Sequence, residues 1–285
     1  MSRVRMDELL VDARAKKMAI GAFECWNSAN IRAIAEAAAE CRMPVVFQGT
    51  QLEYAVMGGA DAMKSIVDFY IEKTGIDAAI HLDHGSTLQQ VTECIDAGFT
   101  SVMMDASRLS LEENITLSKK AVELAHAGNL SIETELGHVG GSEGGLDDVG
   151  DCAEGLTDPS EAERFVAETG TDCLAVGIGT AHGDYKQAPQ IDLERLEQIA
   201  ERVSIPLVLH GGSGTPTDLL LKSIDRGIAK INICTDIHKV WLEAIAEARN
   251  TLTPSVPGLF HVPPHDALKA KVSEIIRLFA CGKTW

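Results

Sequence analysis

Positive charge is what this chain most lacks: 25 Lys and Arg stand against 42 Asp and Glu, for a formal net charge of -17. Polyanion binding rests on clustered Lys and Arg, so nucleic acid is not expected as a partner. A small anionic substrate is still allowed, because backbone N–H groups, a helix N-terminus, a metal ion or one well-placed Lys can hold a phosphate locally. No apolar run approaches the length of a membrane span, and no membrane partner is expected. The segment Met1 to Lys17 alternates charge with Val4, Met6, Leu9, Leu10 and Val11, and reads as an amphipathic helix without the apolar core of a signal peptide. The seven cysteines, at positions 25, 41, 94, 152, 173, 234 and 281, are odd in number, widely spaced and contain no C-x-x-C. That usage points to free thiols in a reducing compartment, hence a cytoplasmic protein, rather than to a disulfide scaffold or a cysteine zinc site. A disordered composition is absent as well, since 45% hydrophobic and 24% charged residues are enough to bury a large core.

What is present is an alternation. Short β-rich apolar runs are each followed by a segment of helical periodicity, the pattern of β/α units around a parallel sheet. Eight runs are found: Met18–Phe23, Pro44–Gln48, Ala78–Leu82, Ser101–Asp105, Leu130–Glu135, Cys173–Ile178, Pro206–His210 and Lys230–Cys234. Helices are expected at Asn30–Ala39, Gly59–Glu72, Leu111–Ala127, Pro159–Thr169, Leu193–Val203, Pro216–Arg226, Asp236–Arg249 and Asp266–Leu278. A closed (β/α)₈ TIM barrel fits this count, with a doubly wound sheet as the alternative. Residues 1–285 then form a single barrel domain, with a helical extension from about residue 264.

In such a barrel the chemistry sits at the C-terminal ends of the strands. Those positions collect Glu24, Thr50, Asp83-His84, Asp105, Glu133, Glu135, His182 and His210-Gly211-Gly212-Ser213, then Asn232 to Asp236. The run Ala79-Ile-His-Leu-Asp-His84 ends an apolar strand on a carboxylate next to an imidazole, an acid/base beside a metal ligand on a rigid support. Three of the nine histidines, His84, His182 and His210, sit at the ends of strands three, six and seven. Three imidazoles with a fourth position open make a catalytic zinc site, whereas any one alone is more readily a capping or hydrogen-bonded loop residue. His81, His126, His261 and His265 are assigned structural roles, with His138 and His238 left open.

Gly211-Gly-Ser-Gly214 and Asn232-Ile-Cys-Thr-Asp236 follow strands seven and eight, where barrels often cradle a phosphate. The glycine-rich acidic stretch at about 140–156 reads either as a lid over the site or as a solvated loop.

These residues resemble the class II, zinc-dependent ketose-bisphosphate aldolases, which include fructose- and tagatose-bisphosphate aldolases. The resemblance runs from Gly21-Ala-Phe23 to the last helix. It is carried in order by His81-Leu-Asp-His84, Ser101-Val-Met-Met-Asp-Ala-Ser107, Glu133-Thr-Glu-Leu-Gly-His-Val-Gly-Gly141, Gly179-Thr-Ala-His-Gly183, Leu209-His-Gly-Gly-Ser-Gly214 and Lys230-Ile-Asn232. It implies that His84, His182 and His210 bind a catalytic Zn2+ and that Asp83 is the acid/base on the hydroxyl at the cleaved bond. Asp105 and Glu135 match positions for a second divalent metal. Glu143, in the lid, matches the glutamate that moves a proton at the enediolate carbon. Gly183, Lys186, Gly211, Gly212, Ser213, Asn232, Ile233, Cys234 and Thr235 match the dihydroxyacetone phosphate site, part of it with a monovalent cation, Na+ or K+. The implied partner is a sugar phosphate and the implied assembly a homodimer or homotetramer.

The implied reaction is reversible cleavage of a ketose 1-phosphate or 1,6-bisphosphate to dihydroxyacetone phosphate and an aldehyde. Class I aldolases need a lysine Schiff base inside the barrel, and the one strand lysine, Lys230, stands at the expected start of strand eight, the wrong end. Three residues depart from the family pattern: Glu24 in place of a common asparagine, Cys234 before Thr235, and His238 near the second phosphate. With Thr50, Glu24 and His238 are candidates for specificity toward the aldehyde half. Other metal-dependent barrel lyases, hydrolases or isomerases and a non-catalytic aldolase-like subunit are the alternatives.

Overall fold

The computed structural model describes residues 3–141, 155–185, 187–251 and 256–285. Eight parallel strands follow one another in chain order: β1 Ile20–Glu24, β2 Val45–Gly49, β3 Ala78–Leu82, β4 Ser101–Met104, β5 Ser131–Leu136, β6 Cys173–Val176, β7 Leu207–Leu209 and β8 Ile228–Ile233. Because β1 pairs with β8 as well as with β2, the sheet has no edge and the barrel is closed. The (β/α)₈ expectation is borne out and the doubly wound alternative, which needs an open sheet, is ruled out.

The apolar strands are buried on both faces, as strands between a packed interior and an outer ring of helices must be. Register partners point the same way. Phe23 lies beside Phe47, while Glu24 lies beside Gln48 and Ala22 beside Asn232. The side chains of Gln48 and Asn232 reach Asp83 inside the barrel mouth, so Glu24 and Ala22 share that inner face.

Around the strands run α2 Ser28–Cys41, α3 Gln51–Val56, α4 Ala60–Thr74, α5 Leu88–Ala97, α6 Leu111–Ala127, α7 Pro159–Thr169, α8 Leu193–Arg202, α9 Thr217–Asp225 and α10 Thr235–Thr251. The first helix, α1 Met6–Ala15, lies across the bottom, where the N–H of Met6 donates to Ser131 Oγ at the start of β5. A 3-10 turn, Pro257–His261, leads into α11 Val262–Phe279, which packs on α2 and α10.

Two helices were absent from the sequence expectation. One is α5, opened by a capping box in which Thr87 and Gln90 satisfy each other's backbone N–H, with Val91 and Cys94 buried one turn apart. The other is the short α3, opened likewise by Thr50 and Glu53. The last strand also begins earlier than expected. It starts at Ile228, so Lys230 is its third residue and faces the interior rather than the rim. Among the described residues no helix is long and apolar enough to cross a membrane.

Candidate active site

At the end of β3 the chain turns sharply. The Asp83 N–H donates to the Gly49 carbonyl at 3.1 Å, and His84 takes φ 46°, a left-handed conformation that costs a non-glycine residue roughly 1–3 kcal/mol. The next residue must be glycine for space, since a Cβ at Gly85 would stand 2.4 Å from the Met103 carbonyl. This turn aims Asp83 and His84 into the mouth. Asp83 is 1% exposed. Its carboxylate accepts from Gln48 Nε2 at 2.7 Å and from Asn232 Nδ2 at 3.1 and 3.2 Å, so β2 and β8 clamp its orientation.

The three strand-end imidazoles meet. Ring centroids lie 4.9 Å apart for His84 and His182, 4.7 Å for His84 and His210 and 5.7 Å for His182 and His210, each pair edge to face. One ring nitrogen from each lies within 4.8 Å of the others. Carboxylates hold the remaining nitrogen of two of them. Nδ1 of His84 is 2.8 Å from Asp105 Oδ2, and Nε2 of His210 is 2.8 Å from Glu133 Oε1. An ionised carboxylate only accepts, so those nitrogens carry the protons and the opposite ones present lone pairs. Burial pushes His210 down to about 4, so it is neutral, and its Nδ1 is buried with no hydrogen-bond partner. Neutral imidazoles oriented by carboxylates and converging from three strands fit zinc.

Beneath them lies a fully buried charge network. Glu133 accepts from Lys230 Nζ at 2.9 Å, and His81 Nε2 stands 3.7 Å from Glu133 and 3.9 Å from Asp83. Burial raises the Glu133 carboxyl, but Lys230 and His210 outweigh it and hold the group below the ordinary carboxylate range. Burial lowers the Lys230 amine, but Glu133 and Asp83 keep it above its ordinary value. A protonated, ion-paired lysine is no Schiff-base nucleophile. Lys230 thus lies inside the barrel, contrary to expectation, yet class I chemistry stays excluded by its pairing.

Asp105 and Glu135 join His84 in a second group of potential ligands. Burial raises Asp105, but the hydrogen bonds from His84 and Ser107 hold it well below its ordinary range. Glu135, fully buried and repelled by Asp105, is pushed up to about 8.

The loops after β6, β7 and β8 come together on the other side. Tyr185 ties two of them, its hydroxyl accepting from the Ala181 N–H at 2.9 Å and donating to the Gly211 carbonyl at 2.8 Å. Gly211 takes φ 67°, and a Cβ there would stand 2.4 Å from the Ala181 carbonyl, so only glycine allows this approach. Ser213 Oγ accepts from the N–H groups of Cys234 and Asp236 at 3.1 and 3.2 Å, at the start of α10. Gly183, Gly212, Asn232, Ile233 and Thr235 lie on these same loops and strand end. The Cys234 thiol turns away to His238, whose Nε2 is 3.2 Å from Glu24. A cavity of about 240 Å³ opens over the centre, lined by Thr50, Glu53, Asp105, Arg108, Glu135, His84 and His182. Glu143, Lys186 and the lid stretch 142–154 lie outside the described residues.

Sequence reasoning missed Gln48, Glu53 and Tyr185, and it gave His81 only a structural role. Polar residues inside apolar strands, Gln48 and His81 in adjacent register, were the available signal. Nothing local announced Tyr185.

The chain matches the family model described as fructose-bisphosphate aldolase class-II over residues 4–284. It is 41% identical to a fructose-bisphosphate aldolase of Geobacillus stearothermophilus, covering 98% of this chain and 97% of the relative. It is 40% identical to a probable fructose-bisphosphate aldolase of Bacillus subtilis strain 168, covering 98% of each. Among solved structures, the YdjI aldolase from Escherichia coli K12 superposes with a TM-score of 0.85 at 30% identity, over 98% of this chain and 97% of that one.

Proposed function

The chain belongs to the class II fructose-bisphosphate aldolase family, and from that premise we propose the substrate, the metal and the residues by which this aldehyde-lyase works. It cleaves a ketose carrying a 1-phosphate to dihydroxyacetone phosphate and an aldehyde, and runs the condensation in reverse. The observation that carries this reading is the convergence of His84, His182 and His210 beside the clamped carboxylate of Asp83.

His84, His182 and His210 would hold Zn2+. When bound, the ion supplies the Lewis acid for the negative charge that retro-aldol cleavage leaves on a carbonyl-derived oxygen. Asp83 takes the proton from the hydroxyl at the cleaved bond and returns it in condensation. Gln48 and Asn232 keep its oxygens turned to that hydroxyl. Glu143 moves the proton at the carbon, a role that rests on the family resemblance. Gly183, Lys186, Gly211 to Ser213 and Asn232 to Thr235 receive the phosphate-bearing half, partly with Na+ or K+. The start of α10 supports this, because a phosphate oxygen would take the place of the Ser213 hydroxyl on its N–H groups. Asp105 and Glu135 provide a second divalent site beside His84.

On the aldehyde side, Glu24, Thr50 and His238 set specificity. Glu24 is buried on the inner face and Glu53 lines the cavity. Two carboxylates disfavour a second phosphate, so turnover of fructose 1,6-bisphosphate is slow. The whole chain acts as one barrel domain with the stretch 140–156 as its lid, in a cytoplasmic homodimer or homotetramer.

A coupled assay for dihydroxyacetone phosphate release tests the reaction, with chelation abolishing activity and zinc restoring it. Release of inorganic phosphate or plain isomerisation instead would show a metal-dependent hydrolase or isomerase. Activity that survives complete removal of metal would overturn the zinc assignment. Turnover of fructose 1,6-bisphosphate as fast as a specialised enzyme's would sink the specificity reading.

A further inference from the structure

A further set of metal donors stands apart from the three histidines and from Asp105 and Glu135. Glu24 closes β1, Cys234 follows β8, and His238 lies in the first turn of α10. Oε2 of Glu24 is 3.2 Å from Nε2 of His238, and Sγ of Cys234 is 3.9 Å from the same nitrogen and 3.6 Å from Nδ1. A carboxylate oxygen, a thiol sulfur and an imidazole nitrogen thus lie within 4.8 Å of one another. With zinc bonds of roughly 2.0–2.3 Å in a tetrahedron, neighbouring ligand atoms are about 3.3–3.6 Å apart, so small side-chain rotations close the set.

Two further observations point to a cation. Glu24 is 4% exposed, and its Oε2 is buried and accepts no hydrogen bond of proper geometry despite the nearby ring nitrogen. A buried carboxylate oxygen is costly unless paired, and a cation shared with His238 and Cys234 satisfies it. The Glu53 carboxyl also packs against that of Glu24. Two carboxylates in contact are a repulsion that a cation relieves.

We propose that Glu24, Cys234 and His238 form a further divalent-metal site of mixed oxygen, sulfur and nitrogen donors, suited to zinc or another borderline ion, on the aldehyde side of the barrel mouth. Three protein ligands leave a position open for an oxygen of the aldehyde portion.

The test is a cobalt(II) titration of metal-free full-length protein, followed by absorption and by counting bound metal. The three-histidine site has no sulfur ligand, so a thiolate-to-cobalt charge-transfer band reports the new site alone. The band is expected in the unaltered protein. Cys234→Ser abolishes it and lowers bound cobalt by one equivalent, and Glu24→Gln and His238→Gln each shift it to higher cobalt. No band in the unaltered protein, or a band that persists in Cys234→Ser, overturns the proposal. The readout is the metal and not turnover, so failure here is distinct from failure of the aldolase assay.

Discussion

Around the three-histidine cluster, strands β4 and β5 send carboxylates to the outer nitrogens of His84 and His210, and Lys230 in turn anchors one of those carboxylates. The Glu24–Cys234–His238 cluster is built differently. There the carboxylate and the thiol crowd one imidazole on α10, whose ring meets Trp26 edge to face with centroids 4.6 Å apart. The first arrangement fixes tautomer and aim before any ligand arrives, which is what a reacting centre requires. The second leaves its donors to adjust around whatever arrives, which suits a half-site that sets partner choice.

The largest effect should come from Asp83, the proposed acid/base. Asp83→Ala is expected to lower turnover by roughly two to four orders of magnitude, the usual scale for such a group. Its zinc content, counted after desalting, should stay unchanged, because the carboxylates that hold His84 and His210, Asp105 and Glu133, remain in place. Near-normal turnover would refute the role, and loss of zinc would erase the distinction between holding metal and moving protons.

A smaller effect tests the support itself. Asp105→Asn keeps the shape but weakens the charge-assisted bond to His84 Nδ1. Zinc affinity, measured by competition with a chromophoric chelator, is expected to fall about 10–100-fold, the range for a lost outer partner of a ligating histidine. The cobalt–thiolate signal of the Cys234 cluster should not move. Unchanged affinity would mean that the carboxylates behind the first cluster do not distinguish it from the second.

The strand-end residues of the first cluster were legible in the chain because an apolar run that stops on a polar residue marks a barrel's rim. Asp83, His84 and His210 announce themselves this way, and His182 follows its run after Gly179-Thr180-Ala181. Lys230 misled because Ile228 and Ala229 extend its strand by two residues, which moves the lysine from rim to interior. Its pairing with Glu133 could not be read, since it joins residues 97 apart across a closed barrel, and closure is a property of all eight strands. Glu53 was hidden for another reason. Its local pattern with Thr50 marks a helix start, and only the direction of α3 brings the same carboxylate to Glu24.

The smallest effect separates the two regions by pH. Glu53 titrates near 7 in the folded chain, above the unfolded value of about 4.3, because burial and Glu24 disfavour its ionised form. The sign follows from proton uptake: the folded state holds this proton more tightly, so the contribution to stability is full below about pH 4 and is lost as pH rises toward 7. In chelated protein, Glu53→Gln should flatten the dependence of melting temperature on pH across that window, with the variant gaining on the unaltered protein at the upper end. The variant amide keeps an acceptor for the Thr50 N–H, which Glu53 Oε2 now takes at 2.9 Å, so the helix start survives. Adding zinc should narrow the difference between the two proteins, since a cation on Glu24 removes the repulsion that raised Glu53. Parallel profiles without metal would show that the carboxylates do not interact, and the contrast between a braced and an adjustable cluster would then rest on His238 and Cys234 alone.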